Sequence, residues 1–588
     1  MEKSRINRTA ILHRPYSEYC FAKSEKEVIV RLRSGKDNLE AVTVCWGDRM
    51  GAENPLPVTR TVMKKKYSDG LFDYYEADLR SWPITRLCYY FEIKSAEEQV
   101  VYFNDEFAAV APENRQLFYN FHYIRKEDIP DVPKWVYGAV AYQIYPDSFA
   151  NGDHEITPRP YEKANQDGCV SRNKNGGTLK GITQNLDYLQ ELGVNLIYTT
   201  PVFESNSWHG YDTIDYFKID AKWGTKEDLR ELVEQCHKRD MRVILDGVFN
   251  HCSPDFFAFR DVEQKGKESK YWDWFYIYEY PLKKEPVPSY ECFGYVWTMP
   301  KLNTGNKAVA DYLVSVGKYW IEECDIDGWR LDVANEVNLD FWRRFRREIR
   351  ECKTDAYLIG EIWDDARAFL QGEQFDSVMN YNLYFALVDF FAKGTLTPQQ
   401  FCDRVQYLLT RYKGQIQYAQ LNLMGSHDVP RLMSYAGEDK QKFMNCALYL
   451  LTHVGVPMIY YGDELGMDGW SEEEYRKPME WEKAGNEIHD FYRKLIALRR
   501  ENQEVFLGDF ETLPADANTI AYIRQSRNRK IYVVINNSEK AVTRYLQTDR
   551  KTEKIKDYLT GQEYQCGEEG MKIRLEPYGR AVLMESFF

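Results

Sequence analysis

Gly328-Trp329-Arg330-Leu331-Asp332-Val333-Ala334-Asn335-Glu336 reads as a short apolar strand that carries two charges. By the two-residue period of a strand, Trp329, Leu331 and Val333 share one face and Arg330 and Asp332 the other. An Arg/Asp pair is costly to bury unless its members satisfy each other. Alone, the nonapeptide fits a structural ion pair at a strand end as well as it fits a reactive carboxylate kept ionised by Arg330.

The surroundings repeat the pattern. Apolar runs at 139–145, 196–200, 243–248, 328–333, 357–361, 377–381, 420–424 and 457–461 alternate with amphipathic stretches such as 226–239, 309–324 and 341–352. Eight β/α units within residues 139–504 predict a central (β/α)8 TIM barrel. Residues 251–306, after the third strand, are rich in loops and aromatics, among them Tyr271-Trp272-Asp273-Trp274-Phe275-Tyr276. They predict an inserted subdomain over the C-terminal face of the barrel, where barrel active sites lie. Ahead of the barrel, residues 1–124 hold short β-branched or aromatic runs at 28–32, 41–46, 72–77 and 88–93, split by turn residues. This spacing predicts an N-terminal antiparallel β-sandwich. Pro130 and Pro133 among charges mark 125–138 as a linker. The strand pattern returns over 505–588 and predicts a C-terminal β-sandwich.

Composition limits the partners. The chain has 588 residues with 91 acidic against 77 basic side chains, a net charge of -14, and no Lys/Arg tract. That argues against nucleic acid and anionic membranes and favours neutral substrates. Mean hydropathy is -0.59. No apolar segment follows the N-terminus, and the apolar run at 446–461 is broken by Thr452, His453 and Pro457. Neither a secretory leader nor a membrane span is expected. The 12 cysteines never form CxxC and read as reduced thiols, which points to the cytoplasm. The 44 Tyr and 14 Trp pack the cores for the most part, and exposed ones make platforms for sugar faces.

Four predicted strand ends carry unusual polar groups: Asp246-Gly247-Val248-Phe249-Asn250-His251, the Arg330/Asp332 pair, Gly360-Glu361-Ile362-Trp363, and Ser426-His427-Asp428. In a barrel these ends converge, so acids far apart in sequence meet in space. Hydrolysis of a glycosidic bond needs two carboxyl groups in different protonation states. Arg330 favours an ionised Asp332, and Glu361 among other acids is expected to stay protonated. Asp428, beside His427, supplies a third carboxylate for sugar hydroxyls.

These four segments, in this order and spacing, resemble the signature regions of the α-amylase family of glycoside hydrolases. Met299-Pro300-Lys301-Leu302-Asn303 and the wording of 328–336 resemble its cyclomaltodextrinase, neopullulanase and maltogenic amylase branch. The resemblance implies a retaining mechanism with Asp332 as nucleophile, Glu361 as acid then base, and Asp428 as transition-state stabiliser. It implies substrate contacts for Asp246, Asn250, His251, His209, Tyr211, Arg330 and His427, acceptor-side roles for Trp363 and Phe293, and a donor-side role for Arg476. It further implies α-1,4 cleavage in cyclodextrins, maltooligosaccharides and pullulan, with some transglycosylation, and a homodimer formed through the N-terminal domain. A glucan transferase or isomerase on the same machinery is the alternative within the enzyme class, and an inert glucan-binding relative the alternative outside it. No cofactor is required. Relatives often bind calcium near the positions of Asn151 and Asp153, but here Thr157 stands where a second Asp is common and Gly176-Gly177-Thr178 where Gly-Gly-Asp is common. Two lost charges predict a weak or absent calcium site. Asp364 and Trp208 also depart from the branch's pattern and are expected to reshape the cleft.

Overall fold

The computed structural model describes residues 5–80, 86–122, 124–152, 175–547, 554–567 and 570–586. Its centre is a parallel barrel of β1 (Ala141–Ile144), β2 (Leu196–Thr199), β3 (Arg242–Gly247), β4 (Gly328–Leu331), β5 (Tyr357–Gly360), β6 (Ser377–Val378), β7 (Leu421–Leu423) and β8 (Val456–Tyr460). The strands follow one another in the order β6-β5-β4-β3-β2-β1-β8-β7. A parallel bridge from Met379 to Leu421 joins β6 to β7 and closes the ring. Six of the eight strands fall within the apolar runs that predicted them, and β3 and β8 each start one residue earlier, at Arg242 and Val456. They could be read because strands covered on both faces are apolar throughout.

The helices between them form for local reasons. Thr225 and Asp228 make a reciprocal capping box at the start of Lys226–His237, and Leu229, Leu232, Val233 and Cys236 form its buried stripe. Asn338 caps Leu339–Cys352, which buries Phe341, Trp342, Phe345 and Ile349 at the same helical spacing. Gly328 has a steric cause, since a Cβ there would lie 2.0 Å from the Tyr357 carbonyl oxygen on β5. The chain between β3 and the helix Lys307–Cys324 forms the inserted subdomain, with its own helix Phe257–Lys265.

One expectation fails at the end of β4. Val333 is not an extended residue on the Trp329 face, because its backbone is left-handed (φ 44°, ψ 45°). A β-branched residue there is strained.

Clustering of contacts separates this barrel unit, residues 132–393 and 419–507, from a second unit of residues 1–131, 394–418 and 508–588. In the second unit the N-terminal sandwich has one sheet built on Glu27–Gly35 and Phe72–Arg80 and another on Ala41–Asp48 and Arg86–Lys94. Val30, Leu32, Val44, Tyr89 and Phe91 lie in the shared core. The sequence reading missed Thr59–Val62 and Lys64–Ser68, whose lysines and exposure fit edge strands that resist further pairing. The C-terminal part is an eight-stranded antiparallel sheet with Val534, Ile573 and Leu583 in its core. The segment 394–418 is tied in by Arg31, whose guanidinium donates to the Thr410 carbonyl at 2.9 Å and pairs with Glu76 at 2.9 Å. Lys66 bridges Glu76 at 3.1 Å and Asp509 at 3.3 Å. Among the described residues no helix is long and apolar enough to cross a membrane.

Asp327, fully buried just before β4, gathers His237 at 2.8 Å, Lys353 at 2.9 Å, Arg242 at 3.0 Å and the Val243 amide at 2.8 Å. Burial alone would push its carboxyl up, but His237, Lys353 and the Val243 amide together hold it below the usual carboxylate range. A depressed folded pKa stabilises the protein above the unfolded value of about 3.9, and that contribution is lost as pH falls. Asp327→Asn should therefore cost about 3 kcal/mol at neutral pH in urea unfolding. It should also shrink the stability lost on acidification below pH ~4. A variant as stable and as acid-sensitive as the parent would contradict this account.

Candidate active site

The register of the barrel assembles the cluster. β3 and β4 pair Asp246 with Arg330, and β4 and β5 pair Leu331 with Gly360. The next residues, Asp332 and Glu361, keep that alignment through Asp332 N–H to the Gly247 carbonyl (3.1 Å) and Glu361 N–H to the Leu331 carbonyl (2.9 Å). Arg330 is fully buried. Its Nη1 donates to Asp246 at 2.9 and 3.0 Å and to Asp332 at 2.8 Å. Its Nη2 lies 2.9 Å from Glu361 Oε2 and 3.9 Å from Asp428 Oδ2. The strained Val333 aims its amide at Glu361 Oε2 (3.0 Å), and the Trp363 indole N–H donates to the other oxygen (3.0 Å). Trp363 in turn stacks on Tyr381 at 3.8 Å.

The histidines are held by specific donors and acceptors. Gln143 on β1 donates to His427 Nδ1 at 2.7 Å. That leaves Nε2–H facing Tyr211 and Asp428, the latter at 3.2 Å. The Tyr211 hydroxyl also bonds to Asp246 at 3.0 Å, which Tyr198 meets at 2.6 Å. His209 Nδ1 accepts the Tyr211 amide at 3.0 Å. His251 Nε2 meets the Tyr211 carbonyl at 3.0 Å, and its ring stacks with Phe293 at 5.4 Å. Asn250 accepts from Lys301 Nζ at 2.5 Å, and Lys301 pairs with Glu336 at 2.9 Å. Arg476 donates to the His427 carbonyl at 2.8 Å and lies 3.6 Å from Asp428.

Every candidate named for acid or sugar contact thus falls in one connected site. Gln143, Tyr198, Tyr381 and Lys301 belong to it and were not singled out beforehand. A Gln inside the apolar run 139–145 was the one visible signal, since a buried amide needs a partner. Trp208 is buried beneath Arg476, its ring 5.3 Å from the guanidinium, so this departure from the pattern supports a cation. Asp364 is exposed, and its carbonyl accepts from Asn382 at 2.8 Å.

The charge balance is uneven. Four carboxyls face Arg330, and Arg476 reaches only Asp428 among them. Burial pushes Asp332 well above the usual range, Arg330 opposes it, and Glu361 and Asp246 add to the rise. Burial raises Asp246 to about 6 against the pull of Arg330. Burial raises Asp428 too. The excess of carboxyls over cations thus raises all three, including Asp332, which Arg330 was expected to keep ionised; burial outweighs the guanidinium. Burial drives the histidines the other way, His251 to about 3 and His209 and His427 well below their ordinary value, so they act as neutral hydrogen-bonding groups.

Of the positions named for calcium, Asn151, Gly176, Gly177 and Thr178 are described. The Thr178 hydroxyl accepts the Gly181 amide at 3.0 Å as a helix cap, and a side chain at Gly177 would collide with the Pro146 carbonyl. Asp153 and Thr157 lie outside the described residues. Among the described residues no group of three or more His, Cys, Asp or Glu side chains is arranged to hold a metal ion.

Comparison with known proteins agrees with this geometry. The family model for the alpha amylase catalytic domain matches residues 143–494, that for the alpha amylase N-terminal ig-like domain residues 6–125, and that for the maltogenic amylase C-terminal domain residues 510–582. The chain belongs to the α-amylase family. A cyclomaltodextrinase from Geobacillus thermopakistaniensis (strain MAS1) is 40% identical over 580 residues, covering 98% of both chains. Neopullulanase 2 from Thermoactinomyces vulgaris is 38% identical, covering 98% of this chain and 99% of its own. A solved cyclomaltodextrinase structure matches with a TM-score of 0.92 at 36% identity, covering 98% of this chain and 99% of its own.

For an α-amylase family enzyme, the charge imbalance has a measurable effect. Asp246→Asn removes one of the negative charges that raise Asp332. The acid limb of kcat/KM against pH should shift to lower pH, by about half a unit or more. A limb that stays in place or moves upward would refute the electrostatic account.

Proposed function

We propose that the protein is a retaining glycoside hydrolase that cleaves α-1,4 bonds of cyclodextrins, maltooligosaccharides and pullulan, with some transfer to sugar acceptors. The observation that carries this reading is a single buried guanidinium touching both Asp332 and Glu361. Carboxyls gathered by one small cation sit close together. That favours double displacement, which needs less separation than an inverting pair with water between its members.

In the first step Asp332 attacks the anomeric carbon while Glu361 gives its proton to the departing glycosidic oxygen. The bond to the leaving sugar breaks and a covalent glycosyl ester forms. In the second step Glu361 takes a proton from water, whose oxygen displaces Asp332 and restores the original configuration. A sugar hydroxyl in place of water gives transglycosylation. Asp428 holds ring hydroxyls, with the neutral His427 donating beside it, and Tyr211, whose carbonyl takes the one N–H of neutral His251, stacks under the cleaved ring. Trp363 and Phe293, both about one-third exposed at the cleft, serve the acceptor side. Arg476 serves the donor side.

A cytoplasmic location is part of this reading. Nine of the eleven described cysteines are buried, as suits thiols in a reducing compartment. A homodimer formed through the N-terminal domain is also part of it. Calcium is not required in this reading, because Thr178 is spent on a helix cap.

Glu361→Gln keeps the shape of the site and removes the transferable proton. It should lower turnover of β-cyclodextrin by about 10²–10⁴-fold. Equal turnover by the parent and this variant would remove the enzyme claim. Products of maltotriose consisting mainly of longer oligosaccharides would favour the transferase reading instead. Exhaustive chelation should leave both the melting temperature and activity unchanged. A drop in either that micromolar calcium restores would restore the calcium site to the account.

A further inference from the structure

The inserted subdomain contains a small irregular sheet whose outer face has no role in the chemistry above. Three stretches build it. The Glu291 amide donates to the Tyr276 carbonyl (2.9 Å) and the Tyr278 amide to the Ser289 carbonyl (2.8 Å). On the other side, the Phe293 amide donates to the Met299 carbonyl (3.0 Å) and the Lys301 amide to the Glu291 carbonyl (2.9 Å). Residues 289–293 therefore pair with 276–278 on one side and 299–301 on the other, and a bridge from Phe275 to Leu302 joins those two stretches at one end.

Side chains alternate across this sheet. Phe275, Tyr290, Cys292 and Leu302 point inward and are buried. Tyr276 and Tyr278 are 40% and 66% exposed, and Phe293 is 37% exposed. Two contacts show that the outer residues of different strands share one face. The Tyr278 hydroxyl donates to Glu291, and the Tyr276 hydroxyl donates to Asn303 Oδ1 at 2.9 Å.

This face continues into the catalytic cleft. Phe293 stacks with His251, and Lys301 reaches both Asn250 and Glu336. The strip runs from Phe293 past Glu291 to Tyr278, along the pairing of 289–293 with 276–278. Its chemistry is that of a carbohydrate platform, with flat aromatic faces for the apolar side of a glucose ring and carboxylate, amide and phenol groups for its hydroxyls. An interface core would lack this polar content, and its charged residues would be depleted.

We propose that this outer face, with Tyr276, Tyr278 and Glu291 at its centre, is a remote subsite for a linear α-1,4-glucan chain that extends past the acceptor side of the cleft. The proposal rests on the α-glucan hydrolase reading. It adds that chain length, not only bond type, is read by the inserted subdomain. Cyclodextrins and maltotriose do not reach the strip, whereas maltoheptaose does.

The test compares steady-state kinetics on maltoheptaose and maltotriose for the parent and the double variant Tyr276→Ala/Tyr278→Ala, in which both altered side chains are exposed. The ratio of kcat/KM for maltoheptaose to that for maltotriose should fall about tenfold, mostly through KM. The double variant Tyr276→Phe/Tyr278→Phe keeps the ring faces and should recover most of the loss. An unchanged ratio, or an equal fall on both substrates, overturns the subsite. Sedimentation of the parent and variants tests the homodimer and identifies a competing role. Dissociation of the variant with an unchanged ratio would assign the face to a second copy of the chain and overturn the subsite. If the parent itself turns over neither substrate, the hydrolase reading fails, an outcome distinct from failure of the subsite alone.

Discussion

The site depends on one buried cation. Arg330 has no contact with bulk water, so its charge is balanced only by the carboxyls around it. It has too many of them. One guanidinium holds Asp246 and Asp332 by hydrogen bonds, lies against Glu361 and approaches Asp428. With a full complement of cations, Asp246, Asp332 and Asp428 would not be raised as they are. With none, the acids would be protonated or pushed apart. The fourth side of the guanidinium meets a thioether, Met379 Sδ, at 3.4 Å from Nε. A thioether is a weak acceptor, so little of the positive charge is drawn away from the acids.

The strength of that arrangement comes from the backbone. β3, β4 and β5 are in parallel register, so inward residues one step apart in neighbouring strands meet without any loop to place them. The left-handed turn at Val333 stores strain directly after the nucleophile and spends the freed amide on Glu361. The local backbone is costly where the chemistry needs a fixed acid.

Much of this was legible in the sequence because two signals are local. Continuous apolar runs mark strands covered on both faces, and an acid at the end of such a run is conspicuous. Asp246, Asp332, Glu361 and Asp428 could be found that way, and the barrel with them. What was not legible depends on partners distant in sequence. Gln143 matters only because His427 lies opposite it on another strand, and Tyr198 looked like any aromatic in a strand until Asp246 was placed beside it. Val333 fits an extended residue by pattern, and only the geometry after β4 makes it left-handed. Trp208 gave no sign that it would lie under Arg476 instead of lining the cleft.

The division of the chain also bears on the order in which a ribosome delivers it. The barrel unit is complete once residue 507 has emerged. The other unit holds residues made before the barrel, yet it also draws on 394–418 and on residues from 508 onward. The Arg31–Glu76–Lys66 network cannot close on Asp509 until the chain has grown 443 residues past Lys66. The N-terminal strands must therefore wait with those partners missing while the catalytic barrel forms behind them. Strands synthesised before the barrel are finished after it.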